Sequence, residues 1–275
     1  MSRTREIDPA TRFDARAGEY DRYRPDYPPE LLAWLREVPG AGPPGRVVDV
    51  GSGTGISARM FLDAGYRVIA VEPNAAMRAQ AERRLGGRTG FRSVGARAEA
   101  TGLADQEADL VSVAQAFHWF DREAARREFA RLLRPGGICV VFWNHRRTSG
   151  SAFLEGYEKL LDEYGTDYHE VTRRYPDDWA MRAWYGTGYR AGIRLAHRQR
   201  LDWPGLWGRL QSSSYVPAAG QAGYGPMRDA LRRLFMETAT DGMVEMAYDT
   251  RVFAGTLSGV EPVHRRRPSR TRIRE

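Results

Sequence analysis

The strongest constraint on the fold is a regular beat between Arg46 and Trp143, where short apolar runs alternate with segments of helical period. VVDV (47–50), RVIAV (67–71), FRSVG (91–95), DLVSVA (109–114) and GGICVVFW (136–143) read as strands, and about 55–64, 75–85 and 121–133 as helices. Strands joined through helices pair in parallel, and continuous apolar runs imply cover on both faces. The expectation is an α/β fold, a doubly wound, mainly parallel sheet. A further helix is predicted at about 29–38, where Pro28-Pro29-Glu30 precedes Leu31, Leu32, Trp34 and Leu35; PGAGPPG (39–45) then breaks the chain. After Asn144 the pattern gives helices at 151–165 and 177–188, a strand at 194–203, a helix within 223–240 and a strand at 244–257. The two late strands would bring the sheet to seven as its antiparallel edge, with helical lid insertions over 151–188 and 204–240. The expected organisation is an N-terminal helical lid segment (1–45), a Rossmann-like core (46–145), a lid plus the last strands (146–260) and a basic tail (261–275).

The net charge of +7 invites a nucleic-acid partner, but residues 264–275 alone carry six arginines against one glutamate, leaving the body close to neutral. Lys159 is the only lysine among 42 basic residues, a bias that reads as coding preference rather than phosphate binding, and the tail reads as a solvated end. The longest purely apolar run, Ile138–Trp143, is far too short to span a bilayer, and MSRTREIDPATRFD lacks the apolar stretch of a secretory signal. A cytoplasmic protein without a membrane partner is expected. Cys139 stands alone and the five histidines are scattered, so neither a disulfide nor a metal site is expected.

Asp49-Val50-Gly51-Ser52-Gly53-Thr54-Gly55 lies between a predicted strand and a predicted helix. Glycines there let the backbone turn and approach a ligand with no Cβ in the way, and N–H groups at a helix start favour an anion. The spacing G-x-G-x-G departs from the G-x-G-x-x-G of dinucleotide sites, which disfavours an NAD-dependent oxidoreductase. Glu72 ends the second strand, 21 residues beyond Gly51, where a carboxylate can accept hydrogen bonds from ribose hydroxyls. Together these point to a nucleoside cofactor.

DVGSGTG (49–55) and IAVEPNAAM (69–77) resemble the first and second motifs of the class I S-adenosylmethionine-dependent methyltransferases, of the type 11-like small-molecule group. AQAFHWFD (114–121) and LLRPGGICVV (132–141) are similar to the segments that follow in that family. FDARAGEYDRYRPDYP (13–28) and LQSSSYVP (210–217) look like the subgroup that includes trans-aconitate methyltransferase-like proteins. The resemblance implies S-adenosylmethionine as cofactor and S-adenosylhomocysteine as product. It implies cofactor contacts at Asp49, Gly51, Ser52, Gly53, Thr54, Gly55, Glu72, Pro73 and Met77, at Ala98 and Glu99 near the adenine, and at Gln115 and Ala116 after the fourth strand. Tyr20 and Arg24 would fold over the methionyl end, Arg24 pairing with its carboxylate.

Methyl transfer from a sulfonium is an in-line displacement, so the protein mainly positions the acceptor, excludes water and at times removes a proton. His118 is the first candidate general base, with a structural role beside Trp119 and Phe120 as its alternative; His145, next to Arg146 and Arg147, is the second. A carboxylate acceptor would need an arginine neighbour instead of a base. Tyr23, His118, Trp119, Trp143 and Tyr215 are the expected acceptor contacts. The acceptor is expected to be an oxygen or nitrogen of a small molecule, the protein a monomer or homodimer. A cofactor-binding protein without transfer activity is the alternative. Nucleic-acid methylation is disfavoured, because Ala114-Gln115-Ala116-Phe117 lacks the Asn/Asp-Pro-Pro-aromatic signature that holds a flipped base.

Overall fold

The computed structural model describes residues 22–43 and 45–257. Tyr20 and the basic tail lie outside them. Among the described residues seven strands form one sheet: β1 (Arg46–Val50), β2 (Arg67–Val71), β3 (Phe91–Val94), β4 (Ala108–Ala114), β5 (Leu133–Arg146), β6 (Tyr189–Leu201) and β7 (Val244–Gly255), in the order β3-β2-β1-β4-β5-β7-β6. β1 to β5 pair in parallel. Helices α1 (Glu30–Glu37), α2 (Ile56–Asp63), α3 (Ala75–Leu85) and α4 (Arg122–Leu132) accompany them. α5 (Ala152–Tyr164), α6 (Tyr168–Arg173), α7 (Asp178–Tyr185), α8 (Trp203–Gln211) and α9 (Tyr224–Thr238) belong to the second half.

Successive strand residues point to opposite faces, and the core divides accordingly. Val47, Val68, Leu110 and Val140 pack with Leu31, Leu35, Phe61 and Leu85 on one side. Val48, Ile69, Val111 and Val141 pack with Phe129, Leu132, Met181 and Trp184 on the other. A third cluster joins α5, α8 and α9 to the far ends of β6 and β7 through Tyr157, Leu210, Leu231 and Tyr248.

The end of the sheet differs from the expected antiparallel edge. Only β7 runs antiparallel, and it lies inside, between β5 and β6. β6 takes the edge because every second residue of it is exposed, Arg190, Arg194, Arg198 and Arg200 among them, and charged side chains keep an open edge from pairing with another chain. β7, buried at Val244, Met246, Tyr248, Thr250 and Val252 to Gly255, suits the interior.

Local chemistry sets the helix starts. Asn74 accepts from Met77 N, Asp121 from Glu123 N and Ala124 N, Ser151 from Leu154 N, Asp177 from Ala180 N and Asp202 from Gly205 N, so five helices begin on a side-chain cap. No helix among the described residues is long and apolar enough to cross a membrane.

Candidate active site

At the C-terminal ends of the parallel strands the loop after β1 turns through Gly51, Gly53 and Gly55, with φ of 69°, 56° and 85°. At Gly51 a Cβ would come within 2.5 Å of the Ala116 Cβ, so this position combines a left-handed backbone with a close approach that only glycine satisfies. Gly51 N and Ser52 N donate to Val71 O at 2.9 and 3.2 Å, Gly53 N donates to Glu72 Oε2 at 2.9 Å, and Gly55 N to Ser52 O at 2.9 Å. These four N–H groups, expected to face an anion, bind the loop to itself and to the end of β2. The other oxygen of Glu72 accepts from Asn74 N at 2.8 Å. Burial raises the pKa of Glu72, against the backbone donors of Asn74 and Gly53 and the charge of Arg78.

The loop borders a cavity of about 100 Å³, lined by Gly51, Ser52, Gly53, Thr54, Glu72, Pro73, Met77, Gln115 and Ala116, all expected cofactor contacts. Tyr27, Ile56, Ser57, Ala114 and Phe120 complete it with Trp119, and sequence reasoning passed over these five. Phe120 could have been found, since it shares with Trp119 the segment that follows β4. Ala98 is instead buried in the core, and Glu99 is spent on Asp121 N at 3.0 Å at the start of α4. Asp49 lies fully buried off the lining, accepting from Ser57 Oγ at 2.6 Å. Burial lifts its pKa to about 6, against the hydroxyls of Ser57 and Ser112 and helped by the charge of Glu72. Gly55 packs on α3, where Leu85 and Ala81 leave no room for a side chain.

A second cavity of about 250 Å³ opens beyond the first, and Gln115 and Trp119 line both. Gln115 holds a left-handed backbone, φ 58°. Its side chain accepts from Asn144 N at 2.9 Å and donates to Tyr175 Oη at 3.2 Å, which fixes this shared wall at both ends. The expected acceptor contacts His118, Trp119, Trp143 and Tyr215 line the second cavity together with His145. His118 is buried and stacks on Tyr175, with centroids 4.1 Å apart. His145 pairs opposite Asp249 in the sheet; packing around its ring, then the Arg251 guanidinium, lowers its pKa, so the ring is neutral at pH 7. Tyr23 is the exception: its ring packs over Gly208, outside both cavities.

The residues from Tyr23 to Tyr27 form a strap across this end of the sheet. Tyr23 O accepts from Gln199 Nε2 at 2.9 Å, Asp26 O from Asn144 Nδ2 at 2.9 Å, and Tyr27 meets Phe142 edge to face at 4.7 Å. Arg24 donates to Ser212 O at 2.9 Å and lines the second cavity, and it also lines a smaller cavity with Tyr27, Ile56 and Gln115 of the first cavity's wall. Arg146, Arg209, Glu158, Tyr168 and Tyr175 also line that cavity and were not singled out from the sequence. In a chain this rich in arginine, only burial tells a site arginine from a solvated one. Among the described residues no group of three or more metal-ligating side chains occurs.

Residues 48–141 match the methyltransferase domain family. An uncharacterised methyltransferase of Mycobacterium tuberculosis is 40% identical over 134 residues, 49% of this chain and 52% of the relative. One from Schizosaccharomyces pombe is 31% identical over 155 residues, 55% and 59% of the two chains. The chain spans about half the length of these curated relatives. Among solved structures, a protein of Anaeromyxobacter dehalogenans provisionally assigned as a type II methyltransferase superimposes with a TM-score of 0.62 at 26% identity, over 86% of this chain and 98% of that one.

Proposed function

Taking residues 48–141 as a member of the methyltransferase domain family, we propose that the chain transfers a methyl group from S-adenosylmethionine to an oxygen or nitrogen of a small molecule. The observation that carries this reading is the pair of adjoining cavities, one built on the glycine loop and the other walled by aromatic rings, with Gln115 and Trp119 common to both. Such a pair can bring a donor and an acceptor to one partition.

The fit to the cofactor rests on chemistry present in the first cavity. Gly51 presents backbone where a Cβ would collide with Ala116, the cradle that close approach of a ligand needs. Each oxygen of Glu72 accepts one backbone N–H and keeps a second lone-pair direction for a ribose hydroxyl. Pro73, Met77 and Phe120 supply apolar surface for a purine. When bound, the cofactor supplies a methyl group already activated on sulfonium.

The remaining work falls to the protein. Trp119, Trp143 and Tyr175 exclude water from the acceptor and hold it by contact. His118, oriented by its stack on Tyr175, takes a proton from a hydroxyl or amine acceptor; His145, neutral at pH 7 and on the same cavity, is the second candidate.

Titration calorimetry with S-adenosylmethionine, S-adenosylhomocysteine and NAD in parallel tests the reading. Binding of the first two without NAD is expected, followed by methyl transfer in an acceptor screen. Binding of NAD alone, or of none of the three, overturns it.

A further inference from the structure

The second cavity has an unusual charge balance. Among the described residues three guanidinium groups line it, from Arg24, Arg146 and Arg209, against one carboxylate, Glu158. Glu158 is committed to Arg146 and also accepts from Tyr168 Oη at 2.9 Å. Arg209 is only 5% exposed and has no carboxylate partner among the described residues. Its Nε donates to Tyr248 Oη at 3.1 Å and its Nη1 to Ser213 Oγ at 3.2 Å, both neutral acceptors. Removing a cation from water without a counter-charge is costly, and neutral hydroxyls recover only part of that cost.

Tyr215, on the same wall, registers the resulting field. Burial alone would raise its phenol, yet the positive charges of Arg209, Arg24 and Arg146 hold its pKa below that of an ordinary tyrosine. A wall that favours an ionised phenol favours other oxyanions.

From the buried Arg209 we infer that the second cavity binds an acceptor carrying an oxyanion group, a carboxylate or a phosphate, held by this guanidinium group. The inference deepens the methyl-transfer reading and rests on it for the word acceptor; the anion preference itself does not depend on transfer. Guanidinium forks suit planar carboxylates and phosphates alike. The rings of Trp119, Trp143 and Tyr175 suit an acceptor with a flat or apolar body.

The test uses the full chain and three ligands with the same ring: benzoate, phenyl phosphate and the neutral benzamide, titrated by tryptophan fluorescence with and without saturating S-adenosylhomocysteine. At least one of the two anions is expected to bind tenfold or more tightly than benzamide, and the tighter one identifies the oxyanion. Arg209→Gln is expected to weaken that anion tenfold or more and to leave S-adenosylhomocysteine affinity within twofold; Arg209→Lys is expected to retain part of the preference. Equal response to anions and amide, or response to none, overturns the inference, as does a folded Arg209→Gln protein that keeps full anion affinity. If Arg209→Gln does not fold, Arg209→Lys and the anion–amide comparison decide. Failure of S-adenosylhomocysteine to bind would overturn the cofactor reading instead, and the titrations without it would still decide the anion preference.

Discussion

Glu72 and Asp49 sit at the ends of adjacent strands and do different work. Glu72 ties the glycine loop to β2 and faces the first cavity. Glu72→Ala should therefore weaken S-adenosylhomocysteine binding by about 1–3 kcal/mol, the scale for losing a hydrogen bond to a charged group, as measured by calorimetry. Asp49 is buried with its pKa raised to about 6, so the native state holds a proton between about pH 4 and pH 6 that the unfolded chain has released. Its contribution is present below pH 4 and fades as the pH rises through 6. Asp49→Asn keeps an acceptor for Ser57 and removes the buried charge. Relative to the parent, the variant should gain stability on going from pH 4 to pH 8, by about 2–3 kcal/mol at 1.36 kcal/mol per unit; denaturant unfolding at the two pH values checks it, and a constant difference would refute it. Gly51→Ala should abolish cofactor binding, because neither its φ of 69° nor the 2.5 Å approach to Ala116 Cβ tolerates a methyl group. These residues were legible in the sequence because strand, loop and acid follow one another locally. Arg209 was not, since its meaning lies in its burial and its neutral partners, which only three-dimensional packing reveals. Tyr23 was misplaced for the same reason: its neighbour Gly208 lies far away in sequence.

At the level of elements, the α4 cap closes the segment that carries His118, Trp119 and Phe120. Asp121 accepts from Glu123 N at 3.1 Å and Ala124 N at 3.0 Å, and its own N–H donates to Glu99. Asp121→Ala should cost about 1 kcal/mol, a fall in melting temperature of about 2–4 °C for a domain of this size. The elements through β4 agree with the sequence reading to within a residue or two, because apolar period and caps act locally. Beyond Asn144 the agreement loosens. β5 continues to Arg146, β6 begins at Tyr189 instead of 194, and the six-residue α6 went unread. A helix of six residues offers too few turns for a periodic signal. The insertion of β7 between β5 and β6 is a matter of pairing between distant segments, which the pattern within either strand does not specify.

For the molecule as a whole, binding at the strand ends should be felt throughout the sheet, since Gly51, Glu72 and Gln115 belong to three different strand ends. S-adenosylhomocysteine at 100 times its Kd should stabilise the fold by about 2.7 kcal/mol and raise the melting temperature by about 5–10 °C, and NAD should leave it unchanged; a scanning calorimeter reads both. The two cavities draw on separate stretches of chain, the first on residues 27–120 and the second mostly on residues 143–215, with Gln115 and Trp119 in common. The match to the methyltransferase domain ends at 141, just before most of the second stretch begins. If the proposed methyl transfer holds, substitutions in the later stretch can change which molecule receives the methyl group without disturbing the donor, whereas among the described residues those at Gln115 and Trp119 would have to answer to both. On that reading the chain can acquire a new substrate by drift in half of its length, and that half is where proteins with the same donor cavity should differ most.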